Sequence, residues 1–313
     1  MPRSAWRAPL GLCLVFGLAI SVAACSSSNK SSSATTTTAI AGPTIRLAAQ
    51  DSTEDKTAVE VYGQYLKAKG FTVDLQQPVG ARTLVYDLLE SNKLDMIIDY
   101  TGRAVTSLDA TKTGTSDPAA TASQLALLLA PHQLVPLRYA DAQDQNALVA
   151  LKTYADAHSL TKISDLAKVT GGVTLAGAPE CQTRPDCLAG YNNPAVYGLH
   201  LKFQAVAYGP PLVTALQANT VQVAQYQTTA PEVAAGTIVV LTDDKGLFSA
   251  DNIVPVLRKA LNDAYGTKLS DAINALSAKI TTADLAAWNN STDVKKEDPA
   301  DVAKAWLTQK GLL

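Results

Sequence analysis

Apolar and polar residues alternate along this chain in short blocks that switch between a period of two and the helical period. Ile45, Leu47 and Ala49 alternate as a strand. A polar turn at 50–53 follows, with Ser52 or Thr53 as N-cap. Glu54 and Asp55 fall in the first helical turn, where the helix dipole favours acids. Ala58, Val61, Tyr62, Tyr65 and Leu66 then recur at helical spacing until Gly70. Phe71, Val73 and Leu75 make a second strand. Gly80 to Thr83 opens a helix with Val85, Leu88 and Leu89 on its apolar face. Leu94, Met96, Ile97 and Ile98 form a run short enough for a strand covered on both faces. Strand, helix, strand, helix, strand predicts a parallel, doubly wound α/β sheet. The third strand is expected to end at Ile98, broken by Thr101 and Gly102. Asp99 and Tyr100 would then sit on a loop beyond the carboxyl end of the sheet, where such folds bind ligands. Capping by Asp99 and simple packing of Tyr100 are the alternative.

Downstream, Ser116, Asp117 and Pro118 start a helix that runs through Leu125, Leu127, Leu128 and Leu129, before a short strand at 134–137. Six polar or small residues at 141–146 then precede the apolar run 147–151. A polar cluster squeezed between two strands predicts a crossover between lobes that also lines a cleft. Further strands are expected around 173–176, 221–223 and 238–241, with a return to the first lobe at 252–256. Closing helices are expected at 257–265, 268–277, 282–289 and 299–310, the last with Val302, Ala305 and Trp306 inward.

The amino-terminal pattern is different. Arg3 and Arg7 precede an apolar stretch from Leu10 to Ile20, and Val22, Ala23 and Ala24 lead to Cys25. Residues 1–24 read as a secretory signal. The small residues before Cys25 resemble a bacterial lipobox, which makes Cys25 a lipidation site and puts the protein on the extracytoplasmic face of the cell membrane. Residues 25–43 are Ser/Thr-rich and read as a flexible tether.

Composition narrows the function. The formal net charge is −2 with no basic block, which speaks against nucleic acid as a partner. Cys181 and Cys187 remain after Cys13 and Cys25 are assigned, and an isolated pair in an exported chain predicts a disulfide that stiffens the turn carrying Arg184. No ligand-like His or Cys spacing predicts a metal, and no motif predicts a cofactor. GxSxG, HExxH and P-loop motifs are missing, so the sequence does not read as an enzyme.

Several segments together, in order, resemble the osmoprotectant-type substrate-binding proteins of ABC importers, the ProX-like group for glycine betaine, choline and carnitine. They are residues 95–102 with Asp-Tyr-Thr-Gly, 163–166, 178–190 with Pro-Glu-x-x-x-Arg-Pro-Asp, 196–199, and 239–246 with 252–255. The resemblance implies a two-lobe periplasmic-binding-protein type II fold, each lobe a doubly wound sheet, joined by two crossover strands. Lobe one would span 44–146 and 247–313, lobe two 147–246. It implies a monomeric receptor that closes on a small polar solute and delivers it to an ABC permease. An exported binding or receptor lipoprotein without an import role, or else an exported enzyme, is the alternative.

Such sites are cages of aromatic rings, and here the pattern departs. Tyr100 matches one ring, but Gln145, Asn146, Gln227 and Asp251 align with others, with Tyr226 one residue from Gln227. With Gln50, Asp51, Asp144 and Arg184 these are the expected ligand contacts, and their polar wall suits a sugar or polyol stacked on Tyr100. Arg184 has two open readings, a partner for a ligand carboxylate or an ion pair with Glu180 or Asp186. Arg82 reads as a surface charge.

Overall fold

The computed structural model describes residues 39–313. The expected signal peptide, Cys25 and most of the tether lie outside the described residues. Among the described residues there are ten strands: β1 Ile45–Leu47, β2 Val73–Leu75, β3 Met96–Tyr100, β4 Leu134–Pro136, β5 Asn146–Leu151, β6 Thr174–Gly177, β7 Lys202–Ala205, β8 Val223–Gln227, β9 Ile238–Leu241 and β10 Ile253–Arg258. They form two five-stranded sheets, ordered β2-β1-β3-β10-β4 and β7-β6-β8-β5-β9. The two orders are the same topology used twice. In each sheet one strand runs against the rest, β10 in the first and β5 in the second. Both are the strands that enter directly after the chain has crossed from the other sheet.

The crossings themselves lie side by side. Gln143 bridges Asn252 in antiparallel fashion. Asp144 N donates to Asp251 O at 3.1 Å, and Ile253 N to Ala142 O at 3.1 Å. Phe248 packs in the apolar cluster of the second sheet with Tyr191 and Cys187. The chain just past the boundary expected at 246/247 is therefore still packed against the second sheet.

Strand β3 is buried at every position, because helices cover both faces of its sheet. Met96, Ile98 and Tyr100 face a core shared with helix Thr53–Ala68 and the carboxyl-terminal helices. Ile97 faces the opposite core, with Tyr86, Val105 and Leu125. Contrary to the sequence expectation, the strand continues through Asp99 and Tyr100, and helix Thr101–Leu108 starts with no intervening loop. The reason is pairing with β10, which places Ile253 opposite Tyr100 and Val254 opposite Asp99.

Local signals are obeyed at the helix starts. Ser52 Oγ accepts from Asp55 N at 3.0 Å, and Asp117 caps helix Pro118–Leu129. The last helix, Pro299–Gln309, buries Val302, Ala303, Trp306 and Leu307, while Ala305 is exposed, against expectation. Strand β7 carries no apolar alternation and is mostly exposed, an edge strand that the pattern does not announce. Cys181 and Cys187 are bridged, as expected.

Asp95, just before β3, ties the amino-terminal side of the first sheet together. It accepts from Arg46 Nε at 2.6 Å, Arg46 Nη2 at 2.9 Å and Arg258 Nε at 3.1 Å, and also from Arg258 Nη2. Burial would raise its pKa, but the hydrogen bonds from Arg46 and Arg258 overcome this and hold it below the usual value. Asp95→Ala should cost about 3 kcal/mol, the low end for a broken buried ion pair because Arg46 is partly exposed. Urea unfolding followed by tryptophan fluorescence measures this, and a midpoint unchanged from wild type would show the two arginines do not depend on it.

Candidate functional site

A cleft of about 630 Å³ lies where helix Thr101–Leu108, both crossings and the disulfide-bridged loop meet. Three arginines line it, Arg82, Arg103 and Arg184, and three aspartates, Asp144, Asp186 and Asp251. Asn146 and Gln227 add amides, and Thr106, Ser107, Thr113 and Ser249 add hydroxyls. Phe248 is the single aromatic side chain among the lining residues.

Each charge in the wall is matched. Arg82 Nε donates to Asp99 Oδ1 at 2.8 Å; Asp99 is fully buried and also accepts from Tyr86 Oη at 3.0 Å and Gln50 Nε2 at 3.3 Å. Arg184 makes a two-pronged bond to Asp186 at 2.9 and 2.6 Å, and Asp186 accepts from Asn146 Nδ2 at 2.9 Å. Arg103 reaches Asp144 on the first crossing at 2.5 Å and Asp251 on the second at 3.0 Å. Asp144 and Asp251 work against the burial that would disfavour the Arg103 charge, and raise its pKa above the ordinary arginine value.

The backbone explains why these groups meet. Asp251 accepts from Gly102 N at 2.9 Å and Arg103 N at 3.0 Å, satisfying free N–H groups at the start of helix Thr101–Leu108 from a distant segment. Gly102 is required there, because a Cβ at this position would lie 2.6 Å from the Ala250 carbonyl oxygen.

The expected site residues divide accordingly. Asp144, Asn146, Arg184, Gln227 and Asp251 line the cleft together. Gln50 is turned to Asp99, and Asp51 is exposed outside the cleft wall. Gln145 points away, donating to Ser249 O at 2.8 Å. Tyr100 does not present a ring to the cleft. Its side chain faces the core, is 2 % exposed, donates its hydroxyl to Glu54, and has the Arg103 guanidinium over its face. Strand alternation sets this orientation, since Tyr100 shares the face of Met96 and Ile98. Arg103, which no sequence pattern marks, lines the cleft, and so does Arg82, contrary to the expected surface charge; both are held by partners that no local pattern reveals. Among the described residues, no group of three or more His, Cys, Asp or Glu side chains is placed to hold a metal.

Behind Arg103 lies a buried polar chain. Asp144 Oδ1 accepts from Thr229 Oγ1 at 2.8 Å, Thr229 O accepts from Asn289 Nδ2 at 3.0 Å, and the same amide donates to Glu54. Burial, with the nearby Asp144 charge, pushes Glu54 up to about 7. Burial likewise pushes Asp55 to about 6, against its Ser52 bond, and Asp251 to about 6, against Arg103. The folded state therefore holds more protons than the unfolded chain in this range, and stability falls as pH rises between about 4.5 and about 7. The carboxyls held low, such as Asp95 and Asp284, act in a more acidic window. Thermal unfolding across this range should show a falling midpoint, and Glu54→Gln should flatten the fall. A midpoint that rises through the same interval would contradict the assignment.

Comparison with known proteins agrees with this fold. A family profile described as the substrate binding domain of an ABC-type glycine betaine transport system matches residues 43–309. The chain is 26% identical over 281 residues to the glycine-betaine-binding protein of Pseudomonas aeruginosa, covering 86% of this chain and 89% of that relative. The apo structure of YehZ from Escherichia coli superposes with a TM-score of 0.77 at 23% identity, over 86% of this chain and 99% of that one. A glycine betaine/carnitine/choline ABC transporter structure gives 0.76 at 21% identity, over 86% and 99%. At these identities the structural likeness is one of fold.

Proposed function

We propose, for a chain that belongs to the family of substrate-binding domains of ABC-type glycine betaine transport systems, that the bound solute is a small polar molecule of the sugar or polyol class. The chain has the two-lobe type II periplasmic-binding-protein fold and is a solute receptor of a family that works with an ABC permease. The family is one of transport receptors, not of enzymes, and our reading assigns this chain no catalysis.

The observation that carries the ligand class is the composition of the cleft wall. Its three arginines and three aspartates are matched, so the wall offers little net charge and many hydrogen-bonding groups. A quaternary ammonium donates no strong hydrogen bond and is recognised by ring faces, and the wall has one ring, Phe248. Hydroxyls and amides satisfy such a wall, whose buried polar groups need partners. Closure of the lobes on the solute would follow from its better fit to the closed state.

Thermal-shift and calorimetric titration of the purified protein tests this with sugars, polyols, amino acids, glycine betaine, choline and carnitine. A true ligand at about 100 times its Kd adds about 2.7 kcal/mol of stability. Hydroxyl-rich solutes should raise the midpoint more than glycine betaine does. An equal or larger shift with glycine betaine would overturn the ligand class and leave the receptor role intact.

We further read residues 1–24 as the export signal and Cys25 as the lipid-bearing residue, with the monomeric receptor held on the outer face of the cell membrane. Cys25→Ser should move the exported protein from the membrane fraction to the soluble one. Retention of that variant in the membrane fraction would count against the anchor.

A further inference from the structure

An exposed aromatic face next to carboxylates is the chemistry that recognises a compact organic cation. The chain contains such a position and fills it from within. The Arg103 guanidinium carbon lies 4.9 Å from the centroid of the Tyr100 ring. Asp144 and Asp251, each 6% exposed, hold it there from the two crossings. Beyond it is a second cavity of about 280 Å³, whose lining includes Tyr100, Glu54 and Asn289. Arg103, Asp144 and Gln227 line both this cavity and the central cleft. Arg103 thus sits, with Asp144 and Gln227, at the border of both spaces. Without it, the cleft would open onto a ring face flanked by two carboxylates.

We propose that Arg103 is the specificity-determining residue of the cleft: a tethered cation that occupies the cation-recognising position over Tyr100 and so excludes cationic ligands. A second cation brought to this position would meet the guanidinium charge at contact distance, where like charges in a partly buried site repel strongly. Arginine suits the task because its planar head lies against the ring and forks to both acids, and it stays charged at any physiological pH. The inference builds on the cleft reading above but concerns the gain of a new ligand class, whatever the natural solute is.

The test compares the full chain with its Arg103→Ala variant, titrated calorimetrically with tetramethylammonium and with choline. Arg103→Ala should bind both cations at least about tenfold more tightly than wild type, the range expected when a ring face and a carboxylate become available. Arg103→Lys, which keeps a cation at the same place, should remain closed to them. The gain should disappear when Tyr100→Leu is added to Arg103→Ala. A folded Arg103→Ala protein with no gain overturns the proposal, as does wild-type binding equal to that of the variant. A gain that survives loss of the ring also overturns it. Where the stranded aspartates prevent Arg103→Ala from folding, Arg103→Met with Asp251→Asn carries the same comparison, read as a cation-induced rise in melting temperature that wild type lacks. Failure of the sugar and polyol titrations alongside a gain of cation binding would discard the ligand class and leave the role of Arg103 standing. The reverse pair of results would discard Arg103 alone.

Discussion

The site depends on one buried charge arrangement, the guanidinium of Arg103 shared between Asp144 and Asp251. The three residues come from the helix after β3 and from each of the two crossings between the sheets. Removing water from such groups is costly, and their mutual attraction offsets the cost only when the geometry is good and the remaining lone pairs are satisfied. Here they are. Asp251 also caps two backbone N–H groups of the helix, and Asp144 also accepts from Thr229. The arrangement therefore fixes where the helix begins, how the crossings sit against it, and what the cleft can offer a ligand.

Much of the architecture is legible in the amino-acid pattern because it rests on local signals. Alternation marks β1 and β2, capping residues mark helices Thr53–Ala68 and Pro118–Leu129, and the polar cluster at 141–146 marks a crossing. The end of β3 is not legible. Asp99 and Tyr100 look like loop residues because their polar atoms need partners, and those partners are Arg82, Tyr86 and Glu54. Strand β7 is hidden for the opposite reason, since an exposed edge strand needs no apolar alternation.

The site is legible only in part for the same physical reason. Asp144, Asn146, Arg184, Gln227 and Asp251 sit at element ends that the pattern locates, and they do line the cleft. Arg103 meets acids 41 and 148 residues away, a distance over which sequence spacing carries no information. Its position over Tyr100 also changes what that tyrosine means: a motif residue can be kept while its surface is given to a neighbour. The fold alone does not fix the ligand, which is set by the side chains brought to the cleft.

The paired crossings have a mechanical consequence. Two extended segments joined by their own hydrogen bonds behave as a ribbon, resisting shear within its plane and bending readily out of it. The bridge between Gln143 and Asn252 and the bond from Asp144 to Asp251 make such a ribbon between the sheets. Sliding of one crossing past the other would break those bonds, whereas bending or twisting of the ribbon keeps them, so a solute between the lobes acts on a joint that already resists shear.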